Sequence, residues 1–208
     1  METEGRNNES GVRQRIIALA DELFPAYGVR SVSMDQIASR LSMSRRALGR
    51  YFPDKQELLL AWIDYHGAMM KARADEIGGR AETVLHAVLE IYRDQAPKIR
   101  RISPRLREDL CRYPRAVARL EKNRSEQAER MLRFFRTGVG QGIFLPGLNY
   151  GMLGRTLARM LDTFALLTLA GRYAAAETYG TTLLILVRGA CTAKGLRIFG
   201  DCLPEYKA

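Results

Sequence analysis

Ser44, Arg45 and Arg46 stand together at the head of a short apolar-periodic segment, the densest chemistry in the 208-residue sequence. A serine ahead of a helix accepts from an amide of the first turn, so Ser44 reads as an N-cap. Two arginines in that turn would project planar guanidinium groups, which fit the O6 and N7 acceptors of guanine bidentately. Ala47 allows close approach, and its methyl suits a thymine methyl. Arg50 and Tyr51 continue the segment. Lys55, behind Asp54, would add a point charge beside free helix amides, a setting that suits anions. One segment earlier, Ser33 and its neighbour Met34 open another helix. Ser33-Met34-Asp35-Gln36 and Asp54-Lys55-Gln56-Glu57 both have the form of a capping box. Each residue also has a plainer reading: serines cap any helix, arginines line solvated faces, and Tyr51 can pack.

Little else in the sequence could do chemistry. His66 and His86 are the only histidines, and neither has a carboxylate or cysteine at metal spacing on its helix face. Cys111, Cys191 and Cys202 match no zinc or redox motif and suit reduced thiols. No GxSxG, Walker loop or HExxH occurs. No cofactor, metal or catalytic set is therefore expected, and an all-α enzyme stays only as a competing class.

The elements that must position these residues read as helices. Apolar residues recur at helical spacing almost everywhere, with no strict alternation and no Asn-Gly hairpin signal. Nine helices are expected: one ending near Gly28, then 33–41, 44–51, a long one from Asp54 to about Gly78-Gly79, and roughly 81–95, 99–112, 114–139, 150–170 and 174–198. Breaks are placed at Pro97, Tyr113-Pro114, Gly138–Gly142, Pro146-Gly147 and Gly171. The fold class is all-α. Residues 1–9 read as a disordered tail, 10–53 as a helix-turn-helix domain, and 54–208 as a second, larger domain.

The net charge of +10 points to an anionic partner, nucleic acid first. Its distribution is uneven. Residues 1–60 carry 9 basic and 8 acidic side chains, whereas 98–136 carry 13 and 5. That arginine-rich stretch has three readings: an acidic effector pocket, a second electrostatic contact with DNA, or a solvated face with pairs such as Glu108–Arg112. The polar N-terminus lacks the apolar core of a signal peptide, and the longest strongly apolar run, Leu183–Val187, cannot span a bilayer. A cytoplasmic protein without membrane contact is expected.

Residues 15–59 resemble the TetR family of one-component regulators. The resemblance is carried by Arg15-Ile16-Ile17, Ala20, Leu23-Phe24 and Gly28 in the first helix. Ser33-Met34 and Ile37-Ala38 carry it in the second. Ser42 through Leu48, Tyr51-Phe52, Lys55 and Leu58-Leu59 carry it in the recognition helix and the start of the fourth. It implies a cytoplasmic homodimer whose first three helices bind a double-stranded operator. The implied body holds a small-molecule effector, and its last two helices (about 150–170 and 174–198) meet the partner subunit. A repressor released by its effector is the implied function. The alternatives are an architectural DNA-binding dimer that senses nothing and, further off, an enzyme.

On this resemblance the DNA-contact set is Ser33, Met34, Ser44, Arg45, Arg46, Ala47, Arg50, Tyr51 and Lys55. Trp62, Tyr65, His66 and Met69 fall where the family's pocket usually begins, although such a stripe also suits plain core. Two departures stand out. Ser42 replaces the usual turn glycine and must tolerate or avoid a left-handed conformation. Gly49 replaces an aromatic residue that commonly touches phosphate, with Arg50 available to substitute.

Overall fold

Capping side chains set where most of the helices begin. The computed structural model describes residues 2–156 and 173–203. Helix α1 (Glu2–Tyr27) already contains most of the segment 1–9 that was expected to lack structure. Pro25 is accommodated in the last turn of α1, and its carbonyl accepts from the Ser103 amide at 2.8 Å. Gly28, at φ +83°, ends the helix. A Cβ there would lie 2.8 Å from Asp109 Oδ2 and 3.0 Å from Arg105 Cβ, so both conformation and space require glycine.

Helices α2 (Met34–Arg40), α3 (Arg45–Tyr51) and α4 (Lys55–Arg80) follow. They are joined by a tight turn and by the Pro53 corner. Then come α5 (Val84–Arg100), α6 (Pro104–Leu110) and α7 (Pro114–Gly140). Pro97 does not break α5 as expected; the helix runs three residues past it. Proline removes one amide and crowds one carbonyl. In the last turn that cost is offset by the buried face of Leu85, Val88 and Leu89. Pro104 and Pro114 each occupy the first helical position, where no intrahelical partner for an amide is lost.

Residues 150–156 form α8, started by Asn149 Oδ1 accepting from the Met152 amide at 2.9 Å. The rest of the expected 150–170 helix lies outside the described residues. The single helix expected over 174–198 is two, α9 (Ala175–Gly189) and α10 (Ala193–Cys202). Ten helices are therefore described instead of nine. The break is made by a distant segment. Cys191 forms an antiparallel bridge with Phe144, flanked by Leu145 N–H to Ala190 O and Thr192 N–H to Ile143 O, both 2.8 Å. Thr192 Oγ1 then caps α10 by accepting from the Gly195 amide at 3.2 Å.

The chain divides into two compact units, Met1–Met70 with Arg101–Glu121, and Lys71–Arg100 with Lys122–Ala208. In the first, Ile16, Phe24, Ile37, Leu48, Phe52, Leu58 and Leu59 are fully or almost fully buried around α1–α4, with Leu106 of α6 and Ala116 of α7. In the second, α5, α9 and α10 pack together over Leu85, Leu183, Leu184 and Phe199. There Phe135 stacks on Tyr150 at 4.7 Å and meets Phe144 at 5.1 Å. No helix among the described residues is long and apolar enough to cross a membrane.

Candidate nucleic-acid interface

The two short helices of the first unit are held in place by local bonds. Ser33 Oγ accepts from Gln36 N at 3.1 Å, and the Gln36 side chain accepts from Ser33 N at 2.8 Å, completing the capping box. After α2 the chain reverses at Ser42, which adopts φ +54°. The left-handed conformation is thus tolerated without glycine. Met43 N–H then returns to Ala38 O at 3.0 Å. Ser44 Oγ accepts from Ala47 N at 3.1 Å and starts α3, whose Leu48 anchors it in the core. Asp54 Oδ1 accepts from Glu57 N at 2.9 Å to start α4, but the Glu57 carboxylate turns to Arg115 at 2.6 Å.

With Leu48 inward, Arg45, Arg46 and Arg50 are exposed, as is Ser44, and Ala47 is half-buried beside them. Helix α3 has no acidic residue in its first turn. Arg45 Nε lies 4.0 Å from Asp35 Oδ1, and that carboxylate is 80% exposed. So loose a surface pair contributes little. The Arg45 guanidinium also lies near Gly49, with Nη1 3.4 Å from where a Cβ would stand.

Three other residues of the expected DNA-contact set are placed differently. Met34 is buried, only 7% exposed, and belongs to the core. Its helical spacing with Ile37 and Ala38 already puts it on the inner face of α2, and the three are buried together. Tyr51 is half-buried and packs against the same core. Lys55 is half-buried, and its ammonium donates to Val29 O at 3.1 Å and Arg30 O at 3.4 Å. Burial lowers its pKa, partly opposed by the nearby Asp109 carboxylate and reinforced by Arg30. Lys55 therefore ties the start of α4 to the turn before α2.

Of the expected pocket residues, Trp62 and His66 converge on one carboxylate. Asp21 Oδ1 accepts from Trp62 Nε1 at 2.7 Å and lies 3.2 Å from His66 Nδ1. These hydrogen bonds, His66's foremost, hold the Asp21 carboxyl below the usual range, against burial that pushes it up. Phe24 meets Trp62 edge-on at 5.7 Å. Tyr65 packs against the same core and Met69 is half exposed. An open cleft of about 420 Å3 lies in the second unit, lined by Leu132, Arg136, Val139, Pro146, Leu148 and Tyr150 among others.

Sequence reasoning passed over Asp109. It is 6% exposed and accepts from the Arg30 amide at 2.7 Å through Oδ2. A carboxylate beside Glu108 on a short helix gives no sign that its partner is an amide 79 positions away.

Comparison with known proteins follows the same division. Residues 16–62, spanning α1 to mid-α4, match the family model of bacterial regulatory proteins, tetR family. No curated protein matches the sequence. Solved structures share the fold over most of the chain. A transcriptional regulator from Cytophaga hutchinsonii is 20% identical with a TM-score of 0.67, covering 95% of this chain and all of its own. A TetR-family regulator from Pectobacterium atrosepticum is 23% identical with a TM-score of 0.66, covering 90% of this chain and 97% of its own. A transcriptional regulator from Saccharomonospora viridis in complex with choline is 17% identical with a TM-score of 0.70, covering 88% and 99%. The helix-turn-helix head, residues 16–62, thus matches the tetR family of bacterial regulatory proteins, and the chain shares its all-α fold with solved transcriptional regulators.

Proposed function

We propose that this protein is a homodimeric, effector-responsive repressor that places α3 in the major groove of an operator. One observation carries the DNA reading. Arg45 and Arg46 stand exposed in the first turn of α3, the end of a helix where cations are disfavoured by roughly 0.3–1 kcal/mol each. Helix stability does not explain them, but recognition of a polyanion does. Residues 10–53 act as the DNA-binding domain, with Ser44, Arg45, Arg46, Ala47 and Arg50 as its contact face, and 54–208 as the effector and dimer domain.

Dimerisation is supported by apolar side chains left on the surface of the second unit. Met152, Tyr173 and Ile185 are each more than 60% exposed, and Leu148 and Leu196 more than 40%. Effector response is supported by the solved relative in complex with choline.

The test begins by selecting bound duplexes from random DNA with the full chain. Arg45→Ala with Arg46→Ala is expected to abolish selective binding at fixed salt while leaving the protein folded. Unchanged selective affinity would sink the assignment of α3. Sedimentation at micromolar concentration checks the dimer, and a monomer there contradicts it. A thermal-shift screen of small molecules separates a sensor from an architectural protein, because only a sensor is stabilised by its ligand.

A further inference from the structure

The arginines of α6 have no place in the helix-turn-helix, yet one is fixed beside the turn that leads into it. Arg105 Cβ packs on that turn: a Cβ at Gly28 would come within 3.0 Å of it. One helical turn on, the buried Asp109 carboxylate accepts from the Arg30 amide at 2.7 Å. The Ser103 amide meets Pro25 O at 2.8 Å on the same side. Two hydrogen bonds and a close packing therefore hold α6 against residues 25–30 within a single unit.

That attachment consumes backbone groups and the Asp109 carboxylate, not the guanidinium groups. Arg30 and Arg105 are exposed, and among the described residues neither has a carboxylate within ion-pair distance. Asp109 is turned inward, and Lys55 adds a further positive charge against Arg30. The result is a ledge beside the 28–33 turn on which Arg30, Arg105 and Lys55 outnumber the one buried carboxylate of Asp109. In a helix-turn-helix the first helix crosses the phosphate backbone while the second enters the groove. Residues just ahead of α2 therefore border the path of the phosphates.

We propose that Arg105, with Arg30, forms a second phosphate-binding ledge that grips duplex DNA beside the recognition helix without reading sequence. It rests on the DNA reading above. Its guanidinium groups bind backbone oxygens, so they set affinity and salt dependence and leave base preference to α3. The surplus charge of the 98–136 stretch then has a purpose at its α6 end.

The test measures binding of the full chain to its selected duplex and to a random duplex across a salt series. Arg105→Gln, alone and with Arg30→Gln, keeps the side chains polar and leaves the Arg30 amide in place. Each phosphate left without its guanidinium should flatten the slope of log K against log salt by about 0.9. Affinity for both duplexes should fall several-fold together, so that their ratio stays constant. Arg105→Lys should restore most of the slope. Thermal unfolding of each variant should match the parent, since the tie through Asp109 is to backbone. An unchanged slope in the double variant, in protein that still selects its duplex, overturns the ledge. A loss confined to the selected duplex also overturns it, by making Arg105 a base reader. Failure of the parent chain to select any duplex strikes instead at the reading of α3.

Discussion

Trp62 Nε1 donates to Asp21 Oδ1 at 2.7 Å, and the same oxygen lies 3.2 Å from His66 Nδ1. One carboxylate of α1 thus fastens two successive turns of α4. Trp62 is only 5% exposed, so its indole N–H has no ready substitute partner in water. Leaving such a donor unpaired costs about 1–3 kcal/mol.

Asp21→Ala is therefore expected to destabilise the protein by roughly that amount. Asp21→Asn keeps an acceptor and should cost less. The sign with pH follows from the depressed carboxyl. Its stabilising contribution is complete above the unfolded value of about 3.9 and is lost as pH falls through the lower folded value. Thermal melts of parent and Asp21→Asn should show a gap that closes as pH falls below that value. A gap that widens on acidification contradicts the arrangement.

Lys55 gives a prediction that separates two roles. As a tie to Val29 O and Arg30 O it supports the fold; as a phosphate contact it would support binding. Lys55→Met retains the stem and removes the ammonium. The tie predicts a loss of about 1.5–3 kcal/mol of stability, the usual range for hydrogen bonding by a charged group. It also predicts an unchanged salt slope of DNA binding. A slope flatter by about one, with no loss of stability, would return Lys55 to the phosphates.

What was legible in the sequence follows the range of each interaction. Ser33, Ser44 and Asp54 cap helices through amides three residues away, and all three are found doing so. At Ser42 it was the family resemblance, with its usual turn glycine, that raised a left-handed conformation to be tolerated or avoided, and Ser42 adopts it. Partners remote in sequence were not readable. Lys55 looked like an anion site until the carbonyls 25 and 26 positions back reached it. The α9–α10 break carries neither proline nor a turn dipeptide, because residues 142–145 impose it from outside. Pro97 gave the opposite error, a strong local signal overridden by a buried face.

That imposed break can be probed at Gly195. A Cβ there would lie 2.4 Å from Ile143 O and about 3 Å from the Cys191 side chain. Backbone cannot give way as a flexible side-chain tip can. Gly195→Ala is expected to cost about 1–3 kcal/mol, the usual range for overpacking. The same site reports on Cys191, whose thiol donates to Val187 O and is pushed by burial up to about 11. In the folded parent the exposed Cys111 should alkylate at pH 8 while Cys191 does not. In Gly195→Ala, Cys191 should become reactive at lower temperature. Equal protection in parent and variant would mean that the segment relaxes around the added methyl.

Gly49 tests whether the recognition helix gains or loses by its departure from the family pattern. Glycine inside a helix costs about 0.8–1 kcal/mol relative to alanine. Space alone does not demand it: the nearest atom to an added Cβ is Arg45 Nη1 at 3.4 Å, the tip of a flexible side chain. Gly49→Ala should therefore raise the melting temperature of the protein. Its effect on DNA turns on where Arg45 acts. If Arg45 leaves Gly49 and Asp35 to reach a base, the added methyl removes a resting place the complex does not use. Selective affinity is then expected to hold or rise. If instead the guanidinium must lie across position 49 in the complex, selective affinity falls while stability still rises. The gel-shift and melting measurements on this one variant thus show whether the Arg45 conformation seen without DNA is the one that binds it.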